Sequence, residues 1–334
     1  MTALLEVADL AVHYPVRRGL LRRQVGAVRA VDGVSFAIAP GETLALVGES
    51  GCGKTTTGNA ILGMVEATRG RVSFEGEDLS RLTAAARRLI RRRMQIIVQD
   101  PYSSFNPRLT IGESIAEPML AQGLRRGAAA RARVAELLAM VGLSPAQAGR
   151  FPHQFSGGQR QRLAIARALS VEPSLIVCDE PVSALDVSVR AQILNTLADL
   201  QAATGVALLF ISHDLSVVRH ISDRVAVMYH GRIVEQGATD VVFATPRHPY
   251  TRALIGAIPS PLVGGDRPPL TVLSGEPPSP VERFAGCAFR SRCGQATPRC
   301  AEAAPALDDA AHAAACWNPL VPPGGSAGPP AAAC

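Results

Sequence analysis

A chain of 334 residues is long enough for roughly two domains, and its 47% hydrophobic content excludes a wholly disordered protein. The 34 Lys and Arg against 28 Asp and Glu leave a net charge of +6, a mild excess that permits contact with phosphates, anionic lipid or nucleic acid and requires none of them. No apolar run approaches the roughly 18 to 20 residues of a membrane-spanning helix, and Met1 to Leu10 lacks the basic cluster and cleavage site of a secretory leader; the protein is expected in the cytoplasm, with its seven cysteines as thiols or metal ligands rather than disulfides.

In chain order, the apolar alternation from Leu4 to Val12 and from Val34 to Val47, broken by the turn signals Asp32-Gly33 and Pro40-Gly41, predicts that the chain opens with strands. Directly after Thr43 to Val47 comes Gly48-Glu49-Ser50-Gly51-Cys52-Gly53-Lys54-Thr55, followed by Thr56 and a helical pattern. This is the phosphate-binding loop pattern in the strand–loop–helix context it needs. Glycines at 48, 51 and 53 let successive N–H groups curl toward phosphate oxygens, and the following helix start adds its positive end. Lys54 is expected on the β- and γ-phosphates and the Thr55 hydroxyl on Mg²⁺. Cys52 reads as a tolerated small residue rather than a reactive thiol.

From Leu79 to Leu143 the pattern turns helical, interrupted by an irregular proline-bearing stretch from Asp100 to Pro107. The arginine-rich segments Arg87 to Arg93 and Arg125 to Arg133 have few interleaved aromatics and read as solvated helix faces rather than a nucleic-acid surface. Strand-like runs return at Leu175 to Cys178 and Val206 to Ile211, each preceded by a helical pattern, the βαβ signature of a mostly parallel sheet covered by helices. The first of these ends in Asp179-Glu180. Neighbouring side chains of an extended chain point opposite ways, so Asp179 is expected in the Mg²⁺ shell and Glu180 as general base toward an attacking water.

Past Arg247 the composition shifts to Pro, Gly and Ala, and Cys287, Cys293, Cys300 and Cys316 follow at intervals of five, six and fifteen residues. These intervals are wider than the usual zinc pairs and unlike ferredoxin spacing, so spacing alone leaves iron–sulfur, zinc and free thiols open. The stretch reads as a small, separate appendage, and residues 321–334 as a disordered tail.

Between the phosphate loop and Asp179-Glu180 stands Ser156-Gly157-Gly158-Gln159-Arg160, just before a helical run. With it the sequence resembles an ABC transporter ATPase over essentially Leu4 to Trp317. The resemblance implies an α/β P-loop cassette with a mixed sheet and a helical subdomain: cassette 1–245, helical part about 80–170, and a C-terminal extension 246–320. It also implies roles. Tyr14 matches the aromatic that stacks on adenine, Gln99 the glutamine that senses Mg²⁺ and the γ-phosphate, Ser183-Ala184-Leu185-Asp186 the loop crossing the dimer interface, and His213 the switch histidine. Ser156 to Gln159 of one cassette closes over the ATP of a second, and the intact Glu180 marks a hydrolysing subunit.

The stretches Pro246 to Leu254, Gly275 to Pro280 and Gln99 to Pro107 resemble the ATPase subunits of bacterial dipeptide, oligopeptide and nickel importers, and His13 to Gly19 looks most like the second ATPase of the dipeptide system. That resemblance implies ATP and Mg²⁺, a [4Fe-4S] cluster on the four cysteines, and a non-identical sister ATPase. It further implies two permease subunits, one docking on Gln99 to Pro107, an extracytoplasmic binding protein, and a peripheral position on the cytoplasmic face of the membrane. Nickel or another solute, or a non-transport ABC ATPase, are the alternatives.

Overall fold

The computed structural model describes residues 3–19, 23–258, 275–276, 278–279 and 281–320. The expected tail and most of the proline-rich stretch after Ile258 lie outside the described residues. The strands are β1 (Leu5–Arg18), β2 (Arg23–Ile38), β3 (Thr43–Val47), β4 (Arg69–Phe74), β5 (Glu77–Asp78), β6 (Met94–Ile97), β7 (Leu175–Asp179), β8 (Ala207–Ser212), β9 (Arg224–Tyr229), β10 (Arg232–Ala238) and β11 (Ala313–Ala314). The helices are α1 (Lys54–Ile61), α2 (Ala84–Arg93), α3 (Ile111–Ala121), α4 (Gly127–Met140), α5 (Gly157–Leu169), α6 (Val187–Thr204), α7 (Leu215–Ile221), α8 (Thr239–Ala244), α9 (Pro249–Gly256) and α10 (Arg299–Glu302).

Two sheets organise them. One is antiparallel, in the order β2-β1-β4-β5; the other runs β11-β10-β9-β3-β8-β7-β6, parallel from β9 to β6 and antiparallel at β10 and β11. The parallel strands are near-continuous apolar runs because both faces are covered. Ala45, Val47, Ile176, Cys178, Leu208 and Phe210 join one apolar cluster with the helices, while Leu44, Leu46, Val177, Leu209 and Ile211 join the other with β1, β2 and α1. The period of two thus divides one sheet between two cores.

Two local expectations change. Asp32-Gly33 is not a turn but part of β2, where Leu10 faces Val34 and Ala11 faces Asp32, leaving Gly33 as the extra residue of a bulge. The helical reading from Leu79 to Leu143 hides β6, whose four residues pair in parallel with β7; so short a run carries no detectable period of its own. Arg87, Arg88, Arg91 and Arg93 on α2 and Arg131 on α4 are exposed, while Arg92 and Arg133 are half-buried; Arg133 pairs with Glu136, and Arg125, just before α4, with Glu172.

The segment after residue 246, read from composition as separate, is joined to the cassette. β11 pairs with β10, and Phe289 is buried in the helix-side core. Fully buried Glu235 on β10 accepts hydrogen bonds from the Arg247 and His248 N–H groups (2.7 and 2.8 Å) and lies 2.6 Å from His312 Nε2. His248 is itself buried, and its Nδ1 accepts the Tyr250 N–H at the start of α9. Burial pulls its pKa from 6.5 down to about 4. The folded chain therefore holds His248 neutral while the unfolded chain takes up a proton below about pH 6.5, so this stability is present above that value and lost as pH falls through 4. Denaturant titrations at pH 7.5 and 4.5 should show a loss of about 3 kcal/mol that His248→Asn removes; an equal loss in the variant would assign it to other groups.

Candidate nucleotide site

The site gathers where α/β sheets place ligands, beyond the carboxyl ends of β3, β7 and β8. After β3 the loop 48–53 turns into α1. Gly53 holds φ at 111°, and a Cβ there would stand 2.0 Å from the Ala30 carbonyl oxygen, so only glycine fits. Ser50, Gly51 and Thr55 are exposed at the loop's mouth, with Thr56 half-buried behind them. Lys54 is buried, its ammonium donating to the carbonyls of Gly48 (2.8 Å) and Glu49 (3.0 Å). Cys52 is buried beside it, and burial pushes its thiol pKa up, which keeps it protonated and agrees with a packing role.

The Thr55 hydroxyl donates to Asp179 Oδ1 at 2.9 Å, bringing together the two residues expected around Mg²⁺. A hydroxyl and a carboxylate are the hard oxygen donors that this ion takes. Burial raises the Asp179 carboxyl above the usual carboxylate value and the neighbouring Glu180 adds to this, while the Thr55 bond and Lys54 oppose it. Glu180 does not continue the strand's alternation: its φ is +48°, a left-handed turn costing about 1 kcal/mol for a side-chain-bearing residue. The turn, not the pleat, separates the two carboxylates. It brings Glu180 Oε1 to 2.9 Å from His213 Nδ1, and the Ser183 hydroxyl donates to the Glu180 carbonyl. Gln99 is exposed on the loop after β6, at the same end of the sheet as Asp179 because Ile97 pairs with Cys178. Tyr14 is 42% exposed on β1, opposite Val28.

A second surface forms around the start of α5. Ser156 and Gln159 make a reciprocal capping box, Ser156 Oγ accepting the Gln159 N–H and Gln159 Oε1 the Ser156 N–H. This explains the Ser-x-x-Gln spacing and leaves the first helical N–H groups without intrahelical partners. A Cβ on Gly158 would stand 2.2 Å from Val189 Cγ1 on α6, and Leu185 packs over Gly157, so Ser156 to Gln159 and Ser183 to Asp186 share one face. Asp186 caps α6, and exposed Ala184 and Val187 extend that face. Among the described residues no hydrogen bond or ion pair links 156–159 to 48–56.

The loop from Gln99 to Pro107 is not wholly free of the core, since Phe105 is buried in it. Two arginines of α5 bind this loop, and sequence reasoning missed both. Arg160 stacks over the Tyr102 ring at 3.7 Å, and Arg167 donates to the Ser104 carbonyl. Tyr250 and Arg292, which touch Glu49, were missed too; they lie 201 and 243 positions from it and no local pattern reports such contacts.

Cys287, Cys293, Cys300 and Cys316 all line one cavity of about 10 Å³. Burial raises the Cys316 thiol to about 11 and its three neighbours add to this. The expectation of a [4Fe-4S] cluster finds no support: the four cysteines line one cavity, but among the described residues no group of three or more His, Cys, Asp or Glu side chains is arranged to hold a metal ion. Among the described residues no helix is long and apolar enough to cross a membrane.

Comparison with known proteins agrees with this geometry. Residues 31–183 match the family model described as ABC transporter, and residues 234–300 the one described as oligopeptide/dipeptide transporter, C-terminal region. The chain is 53% identical over 310 residues to a probable peptide ABC transporter ATP-binding protein, y4tS, of Sinorhizobium fredii, covering 91% of this chain and 86% of that one. It is 48% identical to the oligopeptide transport ATP-binding protein AppF of Bacillus subtilis, covering 94% of this chain and 96% of that one. The dimeric, ADP- and Pi-bound structure of the ATP-binding cassette MJ0796 superposes with a TM-score of 0.61 at 29% identity, over 70% of this chain and 98% of that one.

Proposed function

The chain belongs to the ATP-binding subunits of ABC transporters, in the oligopeptide/dipeptide importer family, and from that premise we propose how its residues turn ATP hydrolysis into peptide import. The observation that carries the reading is that one chain bears two half-sites on separate surfaces: the loop with Lys54, Thr55, Asp179, Glu180 and His213, and the capped start of α5 beside Ser183 to Asp186. A second cassette supplies the missing half of each.

The N–H groups of the loop 48–53 and the Lys54 ammonium, already aimed into it, bind the triphosphate. Tyr14 stacks on the adenine. Thr55 and Asp179, with Gln99 from the same end of the sheet, would hold Mg²⁺, which would neutralise charge on the phosphate oxygens. Glu180 takes the proton of the attacking water, and His213, in contact with its carboxylate, holds it in place and faces the γ-phosphate. Ser156 to Gln159 of the opposing cassette present helix-start N–H groups to that phosphate. ATP draws the cassettes together and hydrolysis releases them.

A permease helix docks on the loop from Gln99 to Pro107 and on the adjoining groove of about 730 Å³ between α3 and α4, lined by Ala116, Leu120, Ala130, Val134 and Ala148. The Tyr102–Arg160 and Ser104–Arg167 contacts tie that loop to α5, so docking and phosphate closure move together. The assembly has a non-identical sister ATPase, two permeases and an extracytoplasmic binding protein, with this chain peripheral on the cytoplasmic face. Uptake of labelled di- and tetrapeptide and of Ni²⁺ in a strain lacking the gene tests the substrate: peptide uptake should fall and return on complementation, whereas loss of Ni²⁺ uptake alone would transfer the role to nickel.

A further inference from the structure

We propose that Arg292 and Tyr250 are positioning residues of the phosphate loop, through which the cysteine-bearing C-terminal segment sets the affinity for ATP. The inference rests on residues 48–55 being that loop. Arg292 stands immediately before Cys293. Its side chain is 4% exposed, and its two terminal nitrogens donate to the two Glu49 carboxylate oxygens at 2.7 and 2.9 Å. Such a bidentate pair fixes direction as well as distance. The backbone N–H of the same Glu49 donates to the Tyr250 hydroxyl at 2.9 Å. Tyr250 is fully buried, with its ring 4.7 Å from Tyr229 and 5.4 Å from Phe289, so the hydroxyl is held by packing on every side.

Glu49 is therefore gripped at its N–H and at its carboxylate, and its carbonyl oxygen is one of the two on which the Lys54 ammonium rests. A shift of the segment around Cys287 and Cys293 reaches the phosphate-binding lysine through one residue. The grip is on the loop itself rather than on β3 beneath it, which is what separates positioning from simple stapling of the extension.

The test uses the full chain, TNP-ATP binding and thermal melting. Arg292→Gln should raise the Kd about tenfold, the usual size of coupling between distinct sites, and Arg292→Lys should recover part of it. The Glu49→Gln/Arg292→Gln double variant should bind no more weakly than the weaker single variant, because both remove one interaction. In the assembled transporter Arg292→Gln should raise the KM for ATP and leave the saturating rate within about twofold. A lowered melting temperature with unchanged Kd, or additive losses in the double variant, overturns the proposal. Should Arg292→Gln fail to fold, Tyr250→Phe, which removes only the accepting hydroxyl, should still raise the Kd about threefold, and no change would overturn it. Lys54→Ala separates the two readings: retained binding there refutes the loop assignment, whereas lost binding there with normal binding by Arg292→Gln refutes only this inference.

Discussion

Glu180→Gln should lower steady-state ATP hydrolysis by about a thousandfold, the scale of losing a general base, once the matching carboxylate of the companion cassette is also replaced. The amide keeps the size of the side chain and has no basic oxygen for the water's proton. ATP binding should persist because Lys54 and the loop N–H groups are untouched, and the Glu180 contact to His213 leaves room for an amide oxygen to serve the ring. The variant should therefore accumulate as an ATP-bound pair of cassettes on size exclusion and support no uptake. Turnover near that of the unaltered protein would remove Glu180 from its role.

Gly158→Asp attacks the other surface. A side chain there meets Val189 Cγ1 on α6 at 2.2 Å, so it forces the start of α5 away from α6 and displaces the N–H groups that this surface offers to the opposing cassette. Hydrolysis at the site completed by this surface should fall by about a hundredfold, comparable to losing a donor to developing charge. The chain's own affinity for ATP should stay unchanged, since among the described residues no hydrogen bond or ion pair joins this surface to the chain's own loop. Nucleotide binding by the isolated subunit and ATPase of the assembled transporter report the two quantities separately. A parallel loss of both would mean that the surface serves its own nucleotide.

What could be read from the sequence was what is local. The loop from Gly48 to Thr55 and the strand ending in Asp179-Glu180 announce themselves because each is contiguous and flanked by elements of the required kind. The Ser156 capping box is legible for the same reason. Reasoning from strand alternation separated Asp179 from Glu180 for a reason that does not hold: a left-handed residue does it, and no side-chain pattern betrays that conformation in a glutamate. β6 is too short to display a period, and its place in the sheet comes from pairing with β7 across the intervening helices. The grips on Glu49 and the arginine ties to the Tyr102 loop depend on packing between distant segments. The intervals of the four cysteines left their role open, and the cluster was implied only by the family resemblance; the fold brings all four to one cavity, and no metal-holding group is found among the described residues.

The strand β11 has a consequence for how the protein is made. Ala313 and Ala314 pair with Gln236 and Glu235 on the outermost long strand of the sheet, so until the ribosome has released almost the whole described chain that border offers bare peptide groups, a template for joining another molecule. The emergence of β11 is the moment at which the border is hemmed, and a message truncated shortly upstream of it yields a chain able to bind nucleotide yet inclined to stick to its own kind.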